Sequence, residues 1–187
     1  MKLIPLTQGQ FAQVDDEHYE WLMQWKWYAA KSKYTFYAVM EQNGHPVKMH
    51  RVILGLERGD TRVADHKDKN GLNNTSENLR ACTMYENNVN SRKKKTDKST
   101  SRYKGVSLKR NQYFDTKTQT FLFRKTYYRA HIAVSGKTIS LGYHKTELSA
   151  AKAYNEGAKK HHGEFAGINI LYCNPCVTNN NLITKYQ

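Results

Sequence analysis

Residues 62–91 read RVADHKDKNGLNNTSENLRACTMYENNVNS, and this stretch decides the fold of the first half of the chain. Residues 62–66 and 78–82 have the short, partly apolar character of strands, whereas residues 67–77 are rich in turn-forming Gly, Asn, Asp and Ser. The sequence TMYE that follows has capping-box spacing and predicts a helix over residues 84–91. The stretch therefore predicts strand, loop, strand and helix, a ββα unit.

Three polar residues of this unit form a candidate metal and base site. Asp65 and Asn87 offer hard oxygen ligands, which Mg²⁺ prefers, so we expect a divalent ion, Mg²⁺ before Mn²⁺. His66 follows Asp65 on the strand, and strand alternation sends its side chain elsewhere, where it can address a water. Hydrolysis of a phosphodiester needs this division between metal and base. Asn88 and Asn90 compete with Asn87 for the last position, and an Asn-rich surface loop is the alternative.

The spacing of these residues carries a resemblance. Asp65-His66, Asn78 and Asn87 resemble the HNH (ββα-metal) nuclease motif in the variant whose last histidine is asparagine, and VADHKDKNGLNNTSENLRACTMYENNVN resembles phage-type HNH homing endonucleases. The resemblance implies that Asp65 and Asn87 hold the metal, His66 is the general base and Asn78 orients the loop and the base. Residues 1–60 also look like the N-terminal region of this group.

Two further features of residues 1–60 have more than one interpretation. Asp15 precedes a helical pattern, so we expect its side chain to accept from first-turn amides as a helix cap. Asp15, Glu17 and His18 can also be taken as a metal cluster, although capping and solvated acids explain them better. His50 lies either near the cleft or in the packed interior.

Composition favours a polyanionic partner. The 187 residues include 30 Lys and Arg against 16 Asp and Glu, a formal net charge of +14, which is typical of proteins that bind nucleic acid. No run approaches the roughly 18–20 apolar residues of a membrane span, and MKLIPLTQGQ lacks the apolar core of a signal peptide. We therefore expect a protein of the bacterial or phage-infected host cytoplasm that does not bind membranes. The pair Cys173 and Cys176 is a weak zinc signal beside the simpler interpretation of incidental thiols.

Residues 92–101, RKKKTDKSTS, are almost purely basic and small-polar, which predicts a linker. Its cations either track DNA phosphates or belong to a solvated spacer. The candidates for phosphate contact are Arg92, Lys93, Lys94 and Lys95.

Residues 102–170 predict a second unit. Apolar and polar residues alternate over residues 128–134 and again over 138–141, with Ser-Gly between them, which predicts two strands and a turn. Residues 104–109 predict an earlier strand, and the alanine-rich stretch after Glu147 predicts a helix. The expected result is three strands and one helix.

Four motifs of this unit, YKGVS, YRAHI, SLGYHKT and AAKAYNEGAKKHHGEFAGIN, resemble the plant ethylene-response-factor (Apetala-two) DNA-binding domain. The resemblance implies a sheet whose outer face enters the major groove. Tyr128 departs from the usual tryptophan, and residues 110–126 are longer than the pattern and indicate a longer hairpin. A solvated strand face is the alternative. The residues expected to point outward toward DNA are Lys104, Ser107, Lys109, Arg129, His131, Thr138 and Ser140.

The expected fold class is α+β, a ββα-metal nuclease unit joined by a basic linker to a three-stranded antiparallel sheet packed on one helix. The expected function is a metal-dependent DNA endonuclease that cuts or nicks double-stranded DNA as a monomer, without a small-molecule cofactor. A non-cleaving, sequence-specific DNA-binding protein on an inactivated nuclease scaffold is the alternative. The expected divisions are residues 1–60 packing on the nuclease core, 61–91 the core, 92–101 the linker, 102–170 the DNA-binding domain and 171–187 a polar tail.

Overall fold

A computed structural model describes residues 1–93 and 96–172, except the side chains of Phe123 and Arg124. Small antiparallel sheets alternate with few helices, which confirms the α+β class. Among the described helices, none is long and apolar enough to cross a membrane. Four residues discussed above lie outside the described part of the chain: Lys94, Lys95, Cys173 and Cys176.

Contacts divide the chain into two compact units. The first comprises Met1–Lys94 and Ala158–Ile168, and the second comprises Lys95–Gly157 and Asn169–Gln187. Each unit has a hydrophobic core of its own.

The described part of the first unit contains three small antiparallel sheets, β1-β2, β3-β4-β5 and β6-β7. Its strands are β1 Lys2–Pro5, β2 Phe11–Val14, β3 Tyr28–Lys31, β4 Phe36–Gln42, β5 His45–Lys48, β6 Val63–His66 and β7 Leu79–Cys82. Its helices are α1 Asp16–Leu22, α2 Met49–Ile53 and α3 Met84–Asn90.

Strand β2 joins the N-terminal core to the loop between β6 and β7. Ala12 and Val14 are fully buried, and Gln13 between them lies at the edge of the hairpin. The amide of Gln13 donates to the carbonyl of Leu72 at 2.8 Å, and the amide of Asn74 donates to the carbonyl of Gln13 at 2.8 Å. The loop is therefore held by backbone hydrogen bonds from the N-terminal hairpin.

Asp15 strengthens this connection, and the expectation that its side chain caps α1 was wrong. The carboxylate makes no capping hydrogen bond to the helix. Its Oδ2 instead accepts from the amide of Ser76 at 2.6 Å, and this hydrogen bond is the main cause of the lowered pKa of Asp15. The residue therefore holds the far end of the same loop.

The order β6, loop, β7 and α3 follows from local chemistry. Asp65 lies opposite Arg80 in the antiparallel register, and the loop between the strands closes on itself through side-chain hydrogen bonds. The capping box at the start of α3 is present. The amide of Glu86 donates to Thr83 Oγ1 at 3.2 Å, and the amide of Thr83 donates to Glu86 Oε2 at 2.8 Å.

The second unit is a three-stranded antiparallel sheet in the order β10-β9-β8, with a core between the sheet and a helix. Tyr103, Val106 and Ala130 pack with Ala150 and Ala151 of the helix. Its strands are β8 Val106–Asp115, β9 Thr120–Val134 and β10 Lys137–His144, and helix α4 Glu147–His162 belongs to it as far as Gly157.

Strands β8 and β9 extend well beyond β10. Strand β10 pairs with β9 only as far as Tyr128, whereas β8 and β9 stay paired out to Asp115 and Thr120. Residues 110–126, which the sequence marked as a longer hairpin, therefore form a two-stranded ribbon, named the arm below.

Gly105 provides a test of the packing in this unit. Its φ of +68° favours glycine, and a methyl group there would overlap the ring of Tyr154 and the carbonyl of His131. We expect Gly105→Ala to lower the free energy of unfolding by about 3 kcal/mol, from left-handed strain of about 1–2 kcal/mol and overpacking of about 1–3 kcal/mol. Gly136, with a φ of +78° and nothing within 4 Å of the added carbon, is the matched control, and Gly136→Ala should show the strain alone. Urea unfolding measures both, and equal losses would contradict the packing argument.

Candidate active site

One cavity of about 490 Å³ in the first unit brings together three of the four residues predicted for metal binding and catalysis. Asp65 and His66 reach it from β6, and Asn87 reaches it from α3. Asn78 is not among its lining residues. The N-terminal region supplies part of the wall, which includes Tyr37, Lys48 and His50.

Asp65 is a buried carboxylate that accepts hydrogen bonds from three neighbouring N–H groups. Its Oδ2 accepts from Nε and NH2 of Arg80 at 2.9 and 2.7 Å, and its Oδ1 accepts from Nδ2 of Asn90 at 2.9 Å. Arg80 is itself half-buried, with its guanidinium carbon 3.9 Å from the ring centre of Phe165, and it donates to the carbonyl of Glu164 at 2.8 Å. The negative charge in the cavity is therefore compensated and fixed in position.

Sequence reasoning did not find Arg80 or assign Asn90 this role. The strand register places Arg80 directly opposite Asp65, so an accurate pairing of β6 and β7 would have found it. Asn90 follows Asn87 by three residues, which places both on one helix face. Both asparagines line the cavity, and Asn90 donates to Asp65.

His66 is 7% exposed and is held by an asparagine of the loop. Its Nε2 lies 3.2 Å from Oδ1 of Asn74, whose Nδ2 donates to the carbonyl of Leu72. Because an amide oxygen only accepts, this arrangement assigns the proton to Nε2 and leaves the lone pair on Nδ1. Asn74, which belongs to the loop between β6 and β7, is thus the asparagine that contacts the candidate base.

Burial controls the charge of the two histidines in the cavity. Desolvation lowers the pKa of His66, while its contact with Asn74 opposes that shift. His50 packs edge-on against His66 with 4.9 Å between ring centroids, and burial followed by the charge of His66 lowers the pKa of His50 to about 2. His50 is therefore both buried and at the cavity wall, and His66 is neutral at neutral pH, as a base must be.

Asn78 shapes the loop and does not contact the base. Its Oδ1 accepts from the amide of Asp68 at 3.0 Å, and its Nδ2 donates to Asp68 Oδ1 at 3.0 Å and to the carbonyl of Asn73 at 2.7 Å. The part of the expectation that concerns the loop agrees with these contacts. The part that concerns the base does not, because these hydrogen bonds of the Asn78 amide all lie within the loop.

The donor set of the cavity fits a hard divalent cation. Asp65 Oδ1 accepts from Asn90 alone among the described residues, and a carboxylate oxygen has two lone pairs, so one remains. Asn87 adds an amide group to the same cavity. Oxygen ligands of this kind, few in number and open to solvent on one side, suit Mg²⁺.

A second group of potential ligands, Asp15, Glu17 and His18, lies at the surface away from this cavity. Asp15 Oδ2 is engaged by the amide of Ser76. Glu17 is largely exposed, with 76% of its side-chain surface accessible. The interpretation as solvated acids therefore stands better than that of a metal cluster.

Several cations line the cavity and suit a polyanion. Arg92 of the predicted linker donates from NH2 to the carbonyl of Lys69 at 3.2 Å. It lines the cavity and so does not belong to a solvated spacer. Burial lowers the pKa of Lys48 and of Lys69, and the neighbouring Arg51 and Arg92 add to the respective shifts. Lys93 is described but does not line the cavity.

In the second unit, six of the seven predicted outward residues share one sheet face. Ser107 pairs with Arg129 and Ser140 pairs with His131, and strand alternation adds Lys109 and Thr138 to the same side. Lys104 is the exception. It precedes β8 and lies in a turn, where its amide donates to Oδ1 of Asn169 at 2.7 Å.

Two tyrosines on this face were not predicted. Tyr127 pairs with Lys109, and Tyr143 pairs with Arg129, so both belong to the outer side. Their rings contact edge-on with 5.0 Å between centroids. The face therefore combines basic and aromatic side chains.

Comparison with known proteins adds one relative. Over 172 residues the chain is 32% identical to an uncharacterized HNH endonuclease of Acanthamoeba polyphaga mimivirus, and the match covers 90% of this chain and 80% of that protein. No family model and no solved structure matches. The chain belongs to the HNH endonuclease family. Since neither unit holds nine-tenths of the chain, the match includes residues of both.

Proposed function

We propose that the protein is a metal-dependent endonuclease that hydrolyses or nicks phosphodiester bonds in double-stranded DNA, as a phage-type HNH homing endonuclease would. The observation that carries the proposal is the single cavity that contains Asp65, His66 and Asn87. It combines oxygen ligands for a cation with a neutral, buried histidine.

Each of these residues has a distinct role in the proposed reaction. Asn74 holds the His66 ring through Nε2, and His66 Nδ1 takes the proton of the attacking water. Asp65 and Asn87 would hold the divalent cation, Mg²⁺ before Mn²⁺, which when bound supplies positive charge against the phosphate and the leaving oxygen. Arg80 and Asn90 fix the Asp65 carboxylate in position.

The cations of the cavity serve binding. Lys48, Arg51, Lys69 and Arg92 line the cavity beside the base and would neutralise phosphates on either side of the scissile bond. A monomer that uses this cavity alone would nick one strand of the duplex.

The second unit serves recognition in this proposal. Its outer sheet face presents Lys109, Arg129, His131 and two tyrosines, and a sheet face of this kind can enter the major groove, as in the Apetala-two-like domain it resembles in sequence. The proposed division is that this unit finds the site and the first unit cleaves it.

A second candidate function is DNA binding without cleavage. The observation in its favour is the bidentate contact of Arg80 with Asp65, which already compensates the charge that a cation would otherwise neutralise. Cleavage assays decide between the two functions.

The decisive experiment uses supercoiled plasmid with Mg²⁺, with Mn²⁺ or with EDTA, and compares Asn87→Ala with Asn88→Ala. Asn87 lines the cavity, whereas its exposed neighbour Asn88 does not. We expect nicking by the wild type that EDTA abolishes, and a loss of about tenfold or more at limiting metal for Asn87→Ala, because loss even of an outer-sphere partner costs about 10–100-fold in metal affinity. Asn88→Ala should retain activity. Binding without cleavage in every metal would favour the second function.

A further inference from the structure

The arm has no core of its own. Residues 109–122 are exposed except for Asp115 at the tip, which is half-buried. A two-stranded ribbon that is covered on neither face is at best marginally stable in water. The cross-strand contact of Phe114 with Phe121, at 5.2 Å between ring centroids, contributes to pairing but leaves both rings accessible.

Both faces of the arm display apolar side chains. Phe114 and Phe121 form a directly opposed pair and therefore lie on one face, where they are 47% and 65% exposed. Tyr113 and Leu122 form the adjacent pair and point to the opposite face. Exposed apolar side chains grouped in this way are typical of an interaction site.

The charge of the arm selects the partner. Among the side chains that the structure describes between Lys109 and Thr126, four are cationic, at Lys109, Arg110, Lys117 and Lys125, and one is anionic. That anion, Asp115, accepts from the amide of Lys117 and the hydroxyl of Thr118, so it belongs to the turn itself. A positive ribbon with an aromatic tip complements a polyanion that also has flat apolar surfaces.

We propose that the arm is a DNA-binding element in its own right, which lies in a groove of duplex DNA with its cations on phosphates and the Phe114–Phe121 pair against the bases. The proposal rests on the proposed function in that DNA is the substrate, but it concerns binding and not cleavage. It adds a contact beyond the three-stranded sheet face.

The dimensions of the arm suit this role. From Lys109 to Asp115 a strand advances roughly 20 Å at about 3.3 Å per residue, a length comparable to the width of a DNA duplex. The major groove, about 12 Å wide, admits a two-stranded ribbon, and apolar side chains in a groove can contact or unstack bases.

The first test removes the arm. Lys109 lies opposite Tyr127, so an Asn-Gly turn in place of residues 110–126 would close the hairpin and leave the three-stranded sheet intact. Binding to a fluorescent 40-bp duplex of mixed sequence, in EDTA, is measured for this variant and the wild type. We expect about tenfold or greater loss of affinity in the armless protein, because phosphate contacts dominate affinity. Equal affinity would overturn the proposal.

The second test separates the two contributions. Arg110→Ala/Lys117→Ala/Lys125→Ala should flatten the dependence of log affinity on log salt by about two to three units, since each phosphate contact contributes about 0.9. Phe114→Ser/Phe121→Ser should lower affinity without changing that slope, and Phe11→Ser, at an exposed phenylalanine of β2, is its control. If both arm variants bind DNA as the wild type does, the arm has another partner. An armless protein that is monomeric where the wild type self-associates would identify a second copy as that partner and also overturn the proposal.

Because binding is measured without metal, the two proposals fail separately. A wild type that binds DNA through the arm but never cleaves it would refute the nuclease function alone. If the wild type and the armless protein both cleave DNA and bind it with equal affinity, only the proposal for the arm is refuted. A wild type without affinity for duplex DNA would refute both.

Discussion

Replacing His66 with alanine is expected to lower the rate of DNA cleavage by about 10²–10⁴-fold, the usual contribution of a general base. The structure gives the reason. The ring is buried in the cavity with Asp65 and Asn87, Asn74 occupies its Nε2, and desolvation keeps the imidazole neutral by lowering its pKa. His50 also lines the cavity, but its pKa of about 2 makes it a much weaker base than His66.

Single-turnover nicking of supercoiled plasmid in saturating Mg²⁺ measures this loss. His45→Ala is the matched control, because His45 is exposed at the start of β5 and does not line the cavity. The His66 variant should bind the plasmid as the wild type does and show the same circular dichroism. A His66→Ala protein that nicks within about twofold of the control would exclude the proposed base.

Replacing Arg80 with methionine is expected to lower the free energy of unfolding by about 3–5 kcal/mol, the usual result of removing one partner of a buried ion pair. Arg80 and Asp65 have side-chain exposures of only 10% and 5%. The guanidinium donates two hydrogen bonds to Asp65 Oδ2, at 2.9 and 2.7 Å. Methionine fills much of the volume under Phe165 but leaves the Asp65 charge with Asn90 as its donor.

Urea unfolding of the intact chain measures the change, and Arg62→Met provides the comparison. Arg62 makes an ion pair of similar length with Asp60, at 2.8 Å, but with 58% of its side chain exposed, so its loss should cost about 1 kcal/mol or less. If Arg80→Met and Arg62→Met lowered the free energy of unfolding equally, burial of the Asp65–Arg80 pair would not add to its stabilising effect. A variant Asp65→Leu/Arg80→Met that regains stability over Arg80→Met would identify the unpaired charge as the cause.

The elements that the sequence predicted well are those whose chemistry is local. The capping box of Thr83 and Glu86 begins α3 where its spacing indicates, since both partners lie within one turn. The alternation around Ala130 and Ile132 predicts the inner and outer faces of β9, because a buried face leaves a period of two in the sequence. Asp65, His66 and Asn87 line one cavity although strand alternation was expected to send His66 away from Asp65, and their roles stay a prediction.

The features that the sequence could not predict depend on pairs distant along the chain. Asn74 and Asn78 look alike in an Asn-rich loop, and only the folded loop shows that Asn74 is the one in contact with His66. Asp15 has the position of a helix cap, but its partner, the amide of Ser76, lies 61 residues away. Local propensity cannot predict such a contact because tertiary packing decides it.

Strand β2 has a consequence for the lifetime of the active conformation. The loop that holds Asn74 against His66 makes two backbone hydrogen bonds with Gln13, and its Ser76 amide donates to the carboxylate of Asp15. Fraying of the N-terminal hairpin would break these bonds and release the loop in the same event, so the two segments form one cooperative opening unit. We therefore expect the stability of the first two strands to limit the fraction of molecules in which Asn74 contacts His66.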